Sequence, residues 1–270
     1  MTAKPATTHT DLPIRVSPTE KMPGHWVLAS MGKRVLRPGG LELTRQLLSA
    51  LDISPRDEVV EFAPGLGVTA RMTLARRPHT YTAIERDRTA ARTVETYLAG
   101  PEQRCLLGSA DATGLPGSSA TVVYGEAMLS MQPPQQKQAI VKEAFRLLNA
   151  GGRYGIHELC LIPDDLDEDI KQIIQSELAA AIHHGTRPLT ITEWKRLLEA
   201  EGFSVQAQAQ APMHLLEPRR IVQDEGLLGA CRFAANLLCN REARRRVLAM
   251  RRVFAKHRDH LAAIMLVGTK

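Results

Sequence analysis

Four cysteines in 270 residues, no apolar run of membrane-spanning length and no secretory core near the amino terminus together remove several classes of protein. Cys105, Cys160, Cys231 and Cys239 lie far apart, with no C-x-x-C pair and no histidine at ligand spacing. Neither a disulfide framework nor a metal site is indicated, and the thiols are expected to be reduced and mostly buried. A bilayer crossing needs about 20 consecutive apolar residues, so no membrane span is expected. The opening stretch, MTAKPATTHTDLPIRVSPTEK, is rich in threonine and proline and reads as a disordered tail over 1–21 on a cytoplasmic protein. Beyond that tail there is no low-complexity block and no internal repeat.

A hydrophobic content of 44% in 29.8 kDa supports one well-buried domain, expected over 22–270. The net charge of +6 comes from 35 basic against 29 acidic residues, a mixed surface on which nucleic-acid binding is not expected.

The amino-terminal cap over 22–51 has a first segment, 22–40, closed by Pro38-Gly39-Gly40, and a short amphipathic helix over 41–51, after which β-rich runs alternate with helical ones. Strands are predicted over 58–62, 80–85, 104–109, 120–125 and 153–161, and helices over 68–77, 89–98 and 135–148. That rhythm belongs to a parallel sheet covered on both faces, an α/β fold of the doubly wound Rossmann-like kind. Helical spacing continues over 166–182, with a further helix over 192–200, a strand over 203–211, a long helical insertion over 221–257 and an apolar last strand over 261–267.

The most informative stretch is 59–67, VVEFAPGLG, an apolar strand that meets a glutamate and then a glycine turn. Glycine there lets a ligand lie against bare backbone. Glu61, Glu85 and Asp111 fall at or just past the carboxyl ends of successive strands, which border the ligand crevice of such sheets. Glu85 stands 20 residues beyond Gly65, the distance at which an acid meets ribose hydroxyls.

These residues make the chain resemble the class I S-adenosylmethionine-dependent methyltransferases, over roughly 22–270. The family's first motif, an acid followed by G-x-G-x-G, is matched by Glu61-Phe-Ala63-Pro-Gly65-Leu-Gly67, with alanine in place of the first glycine. The resemblance implies S-adenosyl-L-methionine as cofactor and seven strands with the last antiparallel. It places Glu85, beside Arg86, on the ribose, Asp111 and Ala112 on the adenine, and Gly65 and Gly67 against the methionine part. Residues 120–128 would floor the transfer site. The segment PLTITEWKRLLEAEGF and the late helices are similar to enzymes of the quinone, sterol and natural-product type. The acceptor implied is a small apolar or aromatic molecule, under a lid made of 166–182 and 221–257.

Methyl transfer needs alignment and exclusion of water, and a base only where the acceptor must lose a proton. His157 is the first candidate base, with Glu126 and Glu158 beside it; Glu126 could instead face the sulfonium or the methionine ammonium. Arg37, ahead of Lys33 and Arg34, is the candidate clamp for the methionine carboxylate. His25, Trp26, Met128, Met213 and His214 are the expected acceptor walls. Gly65-Leu-Gly67-Val-Thr-Ala70 also fits a dinucleotide pattern, so a nicotinamide oxidoreductase is the rival, with a silent binding module on the same fold behind it. Glu61 argues for a cationic ligand, because pyrophosphate would be repelled by it. The run 241–258 reads as a solvated helix, with RNA or membrane contact the alternative. No N-P-P-Y/F motif stands at the fourth strand, where Gly125-Glu126-Ala127-Met128 occurs. The chain is expected as a monomer or homodimer.

Overall fold

The computed structural model describes Thr19 and residues 21–270, so the tail predicted over 1–21 falls almost wholly outside the described residues. In chain order the elements are α1 Gly24–Ser30, α2 Gly40–Leu51, β1 Glu58–Phe62, α3 Val68–Leu74, β2 Thr80–Glu85, α4 Arg88–Glu95, β3 Gln103–Leu107, β4 Ala120–Glu126 and α5 Pro134–Leu147. They continue with β5 Leu148–Leu161, α6 Glu168–Ile182, β6 Leu189–Thr190, α7 Ile191–Ala200, β7 Ser204–Pro212, α8 Pro218–Cys239, α9 Arg241–Lys256 and β8 Leu261–Thr269.

The sheet runs β3-β2-β1-β4-β5-β8-β7, with the two-residue β6 pairing with β5 off that path. The first five strands are mutually parallel, while β8 is antiparallel to both β5 and β7. The Rossmann-like sheet with an antiparallel last strand is therefore present, and the short β6 is an addition that two residues could not signal in the sequence.

Strand alternation sends Val60 and Phe62 to one face, packed with α5 and α7, and Val59 to the other, packed with α2 and α4. On α2, Leu43, Leu47, Leu48 and Leu51 are fully buried, each worth about 1.5–3 kcal/mol of apolar burial. A third core, with Leu28, Ile174, Leu178, Met250 and Phe254 at its centre, joins α1, α6 and α9 into a helical cap.

Several boundaries differ from those predicted, for local reasons. The helix over 192–200 starts earlier because Thr190, not Thr192, is the cap, forming a reciprocal box with Glu193. The insertion over 221–257 is two helices, broken at Asn240, whose side chain accepts from the Ala243 N–H at 2.9 Å. Gly226 (φ 73°, ψ 169°) further interrupts α8. The thiols also depart from expectation: Cys160 is buried, Cys105 is half-buried, and Cys231 and Cys239 are exposed.

Candidate active site

A cavity of about 540 Å³ opens at the carboxyl ends of β1, β2 and β4. Its wall includes Glu61, Ala63, Gly65, Glu85, Arg86 and Glu126 from the sheet side. From the cap side come His25, Trp26 and Arg37, and from the turn after β4 comes Met128. The strand-end logic of a parallel sheet accounts for the first group, since each strand delivers its last side chains to one rim.

The turn after β1 is shaped by positive φ at Ala63 (51°), Gly65 (56°) and Gly67 (70°). A side chain at Gly65 would meet nothing within 4 Å, so that backbone is bare toward the cavity. At Gly67 an added Cβ would lie 2.6 Å from the Tyr97 ring; this glycine is required by ring packing beneath α3 and is not part of the cavity wall.

Glu85 is buried at the end of β2, and each carboxylate oxygen accepts one backbone N–H, from Gly65 and from Asp87, both at 3.0 Å. Burial raises its pKa, and the backbone N–H groups of Asp87 and Gly65, with that of Arg86 nearby, oppose the rise. Each oxygen keeps acceptor capacity for a further hydroxyl.

Glu61 is buried and tied through Oε2 to two tyrosines that sequence reasoning missed, Tyr81 on β2 and Tyr124 on β4, the latter at 2.6 Å. Burial pushes its carboxyl up to about 7, against the pull of the two phenols and with help from the charge of Glu126. The signal for these partners was present in the strand register, because Tyr124 lies directly opposite Glu61.

Glu126 is the hub. Its Oε1 accepts from Thr44 Oγ1 at 2.6 Å and from His157 Nδ1 at 2.7 Å, with Arg37 Nε at 3.4 Å, and Oε2 accepts from Thr69. Burial alone would raise its pKa, yet Arg37, His157 and Thr44 overcome that and hold it at about 2. A carboxylate so saturated is a poor proton acceptor, which corrects its assignment as a base.

His157 was expected to face the crevice. It is instead fully buried, clasped between Glu126 and the Pro38 carbonyl at 2.6 Å from Nε2, and it does not line the cavity. The ring bridges the Glu126 carboxylate and the Pro38 carbonyl, and its work is to hold Glu126 and the 33–39 strap in place. Glu158 is likewise sealed: it accepts the N–H groups of Met128, Leu129 and Ser130 at 2.7–3.0 Å and so shapes the turn after β4.

Other expected residues also fall outside the cavity. Asp111 and Ala112 are one step past the wall, which at this point is Gly108, Ser109 and Ala110; Asp111 accepts from Ser109. Met213 and His214 line a separate hollow, because β7 sits three strands from β4 and strands are spaced about 4.8 Å apart. Lys33 is buried against Asp224 and Glu225, at 3.8 and 3.6 Å, and reaches no cavity surface. Among the described residues, none of α8 or α9 lines the cavity, so the lid expected from 221–257 is not its wall.

The cap instead contributes His25, which packs on Trp26 with ring centroids 5.0 Å apart, and His184, 6.4 Å from His25. His184, Met131 and Gln132 line the cavity and were not singled out from the sequence. Burial, then His184 and Arg86, lower the His25 pKa to about 4 against the pull of Asp87, so its ring is neutral at physiological pH. Arg37, which also lines the cavity, is buried with Nη2 lacking any hydrogen-bond partner. An orphaned guanidinium nitrogen of this kind calls for an anionic oxygen.

No family model matches the chain. An uncharacterized protein of Haemophilus influenzae is 29% identical over 248 residues, 89% of this chain and 96% of that one. Among solved structures, the cyclopropane synthase MmaA2 of Mycobacterium tuberculosis superposes with a TM-score of 0.70 at 11% identity, covering 93% of this chain and 98% of its own. The [4+2]-cyclase SpnF gives 0.68 at 14%, covering 90% and 91%. The phosphoethanolamine N-methyltransferase 2 of Haemonchus contortus, solved with S-adenosylhomocysteine, gives 0.67 at 13%, covering 92% of this chain and 57% of that one. With the strand order described above, these likenesses show that the chain has the fold of the class I S-adenosylmethionine-dependent methyltransferases.

Proposed function

We propose that the protein transfers a methyl group from S-adenosyl-L-methionine to a small-molecule acceptor. The observation that carries this reading is the convergence, in one cavity, of Glu85, the bare Gly65 turn, Glu61 and the unpartnered Nη2 of Arg37. Their chemistry fits the donor part by part. Glu85 has acceptor capacity for two vicinal ribose hydroxyls, Arg37 offers a donor to the carboxylate, and Glu61 leaves Oε1 for the ammonium. Arg86 and the stretch from Gly108 to Ala110 frame the base end.

When bound, the donor supplies an electrophilic methyl group on a sulfonium. What the chain's own residues do is orient and dry the site. His157 and Thr44 fix Glu126, Glu126 fixes Arg37, and Glu158 fixes the turn carrying Met128. Held this way, the groups do not need to reorganise when charge disperses in the displacement. The acceptor would lie against Trp26, Met128, Met131 and Leu36, which suits an apolar or aromatic molecule. For an acceptor that must release a proton, His25 is the group placed to take it, because it is neutral and faces the cavity while His157 does not.

The nicotinamide alternative is disfavoured by the antiparallel β8 and by a carboxylate lining the place where a pyrophosphate would lie. Calorimetric titration tests the reading. S-adenosylhomocysteine is expected to bind in the micromolar range, NAD not to bind, and Arg37→Leu to weaken the former by about tenfold or more. Binding of neither ligand below millimolar, or preference for NAD, would overturn it.

A further inference from the structure

The hairpin of α8 and α9 takes no part in the cavity, yet it concentrates basic charge and exposed apolar side chains. Residues 218–258 hold eleven of the 35 basic residues and three of the 29 acidic ones, a net +8 in a chain of net +6, so the rest of the sequence is net −2. Arg219, Arg232, Arg241 and Arg252 are exposed and pair with no acidic group among the described residues.

Large apolar side chains are exposed on the same hairpin: Leu228 at 87%, Leu238 at 71% and Leu227 at 69%, with Val222 and Leu248 less so. Elsewhere among the described residues only Leu107, Ile170 and Ile173 are comparably exposed. Where the start of α8 meets the end of α9, a hollow of about 620 Å³ is lined by Arg219, Arg220, Arg251 and Arg258 against the single acid Glu217. Met213, Leu215, Leu216 and Phe254 give that hollow an apolar floor.

We infer that the α8–α9 hairpin docks on an anionic lipid surface, with its leucines in the acyl boundary and the arginine-lined hollow taking a phosphate headgroup. Charge complementarity selects this occupant. A second copy would bring two strongly cationic faces together, whereas anionic headgroups complement the arginines and the acyl boundary beneath them takes the exposed leucines. RNA is disfavoured because Phe233 and Phe254, the aromatic residues of 218–258, are buried and offer no ring for a base to stack on. The acids that would weaken such contact are taken up inside. Asp224 and Glu225 turn inward to the strap of the cavity, accepting the N–H groups of Leu41 and of Arg34 and Val35 at 2.8–3.0 Å.

Co-sedimentation of the full chain with vesicles tests this, without reference to methyl transfer. Vesicles of phosphatidylcholine containing one-third phosphatidylglycerol should carry the protein down at moderate salt, and pure phosphatidylcholine should not. Leu227→Ser with Leu228→Ser, at exposed positions that leave the melting temperature unchanged, should lower partitioning by about tenfold. Arg232→Glu with Arg252→Glu should abolish it. Failure to sediment with anionic vesicles, or partitioning indifferent to the leucine pair, would overturn the inference. So would a short single-stranded RNA that binds more tightly than the vesicles, or a dimer by light scattering that the leucine pair converts to monomer.

Discussion

The floor of the cavity and its cap are built on opposite plans. On the floor, polar groups are buried in closed networks: Glu126 with four partners, Glu61 with two phenols, Glu85 with two backbone donors. In the cap, His25 has no hydrogen-bond partner among the described residues and is held by ring packing on Trp26 and His184. A floor fixed by hydrogen bonds suits a ligand that is the same in every turnover, whereas a cap of packed rings can be altered without unravelling the sheet. The difference teaches that the floor is committed by the fold and the cap is adjustable.

The largest effect that could break this contrast is on stability. His157→Ala should cost about 3 kcal/mol or more, read as a shift in denaturant midpoint, because it removes the buried ring that bridges Glu126 and the Pro38 carbonyl. His25→Ala should stay within about 0.5 kcal/mol, as for a site without such a network. Equal losses at the two histidines would erase the distinction. Next in size, Glu85→Leu should weaken S-adenosylhomocysteine by about 100-fold in calorimetry, two charge-assisted hydrogen bonds being lost. In the cap, His25→Ala should leave that affinity within about twofold and lower turnover instead, most for acceptors bearing a hydroxyl.

A smaller effect sharpens the floor itself. Glu61 is raised to about 7, so in the ligand-free protein its contribution to stability is fully present below the ordinary carboxyl range and is lost as pH rises through about 7. A sulfonium donor keeps its charge over this range and favours the ionised carboxylate. Its affinity should therefore climb by up to about tenfold between pH 5.5 and 7.5 in wild type, beyond whatever rise Glu61→Gln shows. The variant serves as the control for titration of the ligand's own amine, and identical profiles would place Glu61 away from the donor.

Legibility followed the same division. Glu61, Gly65 and Glu85 could be read because strand period and glycine turn fix where side chains go. The antiparallel last strand, β8, came through the resemblance carried by those residues. His157 was misplaced for a physical reason: being at a strand's carboxyl end decides which rim a residue reaches, but not what lies over it, and here Pro38 of the strap does. Met213 and His214 were misplaced because sequence order conceals lateral distance across a sheet. His184 lies past the end of α6, where no periodicity reports on proximity to residue 25, and only the packed cap brings the two rings together.

The smallest predicted effect returns to the family motif. Alanine at position 63, where the motif this stretch resembles has glycine, adopts φ 51° in the left-handed region, with its N–H bonded to the Ile84 carbonyl at 2.8 Å. A non-glycine residue pays about 1–2 kcal/mol for that conformation, while glycine would lose about 0.4–1 kcal/mol through its freer unfolded chain. Ala63→Gly should therefore stabilise the protein by roughly 0.5–1 kcal/mol, a rise of about 1–4 °C in melting temperature for a chain this long. Because the Ile84 bond comes from the backbone, it survives the change, and donor affinity should stay within about twofold. Destabilisation instead would mean that the alanine methyl group, lining the cavity beside Gly65, contributes packing that outweighs its strain.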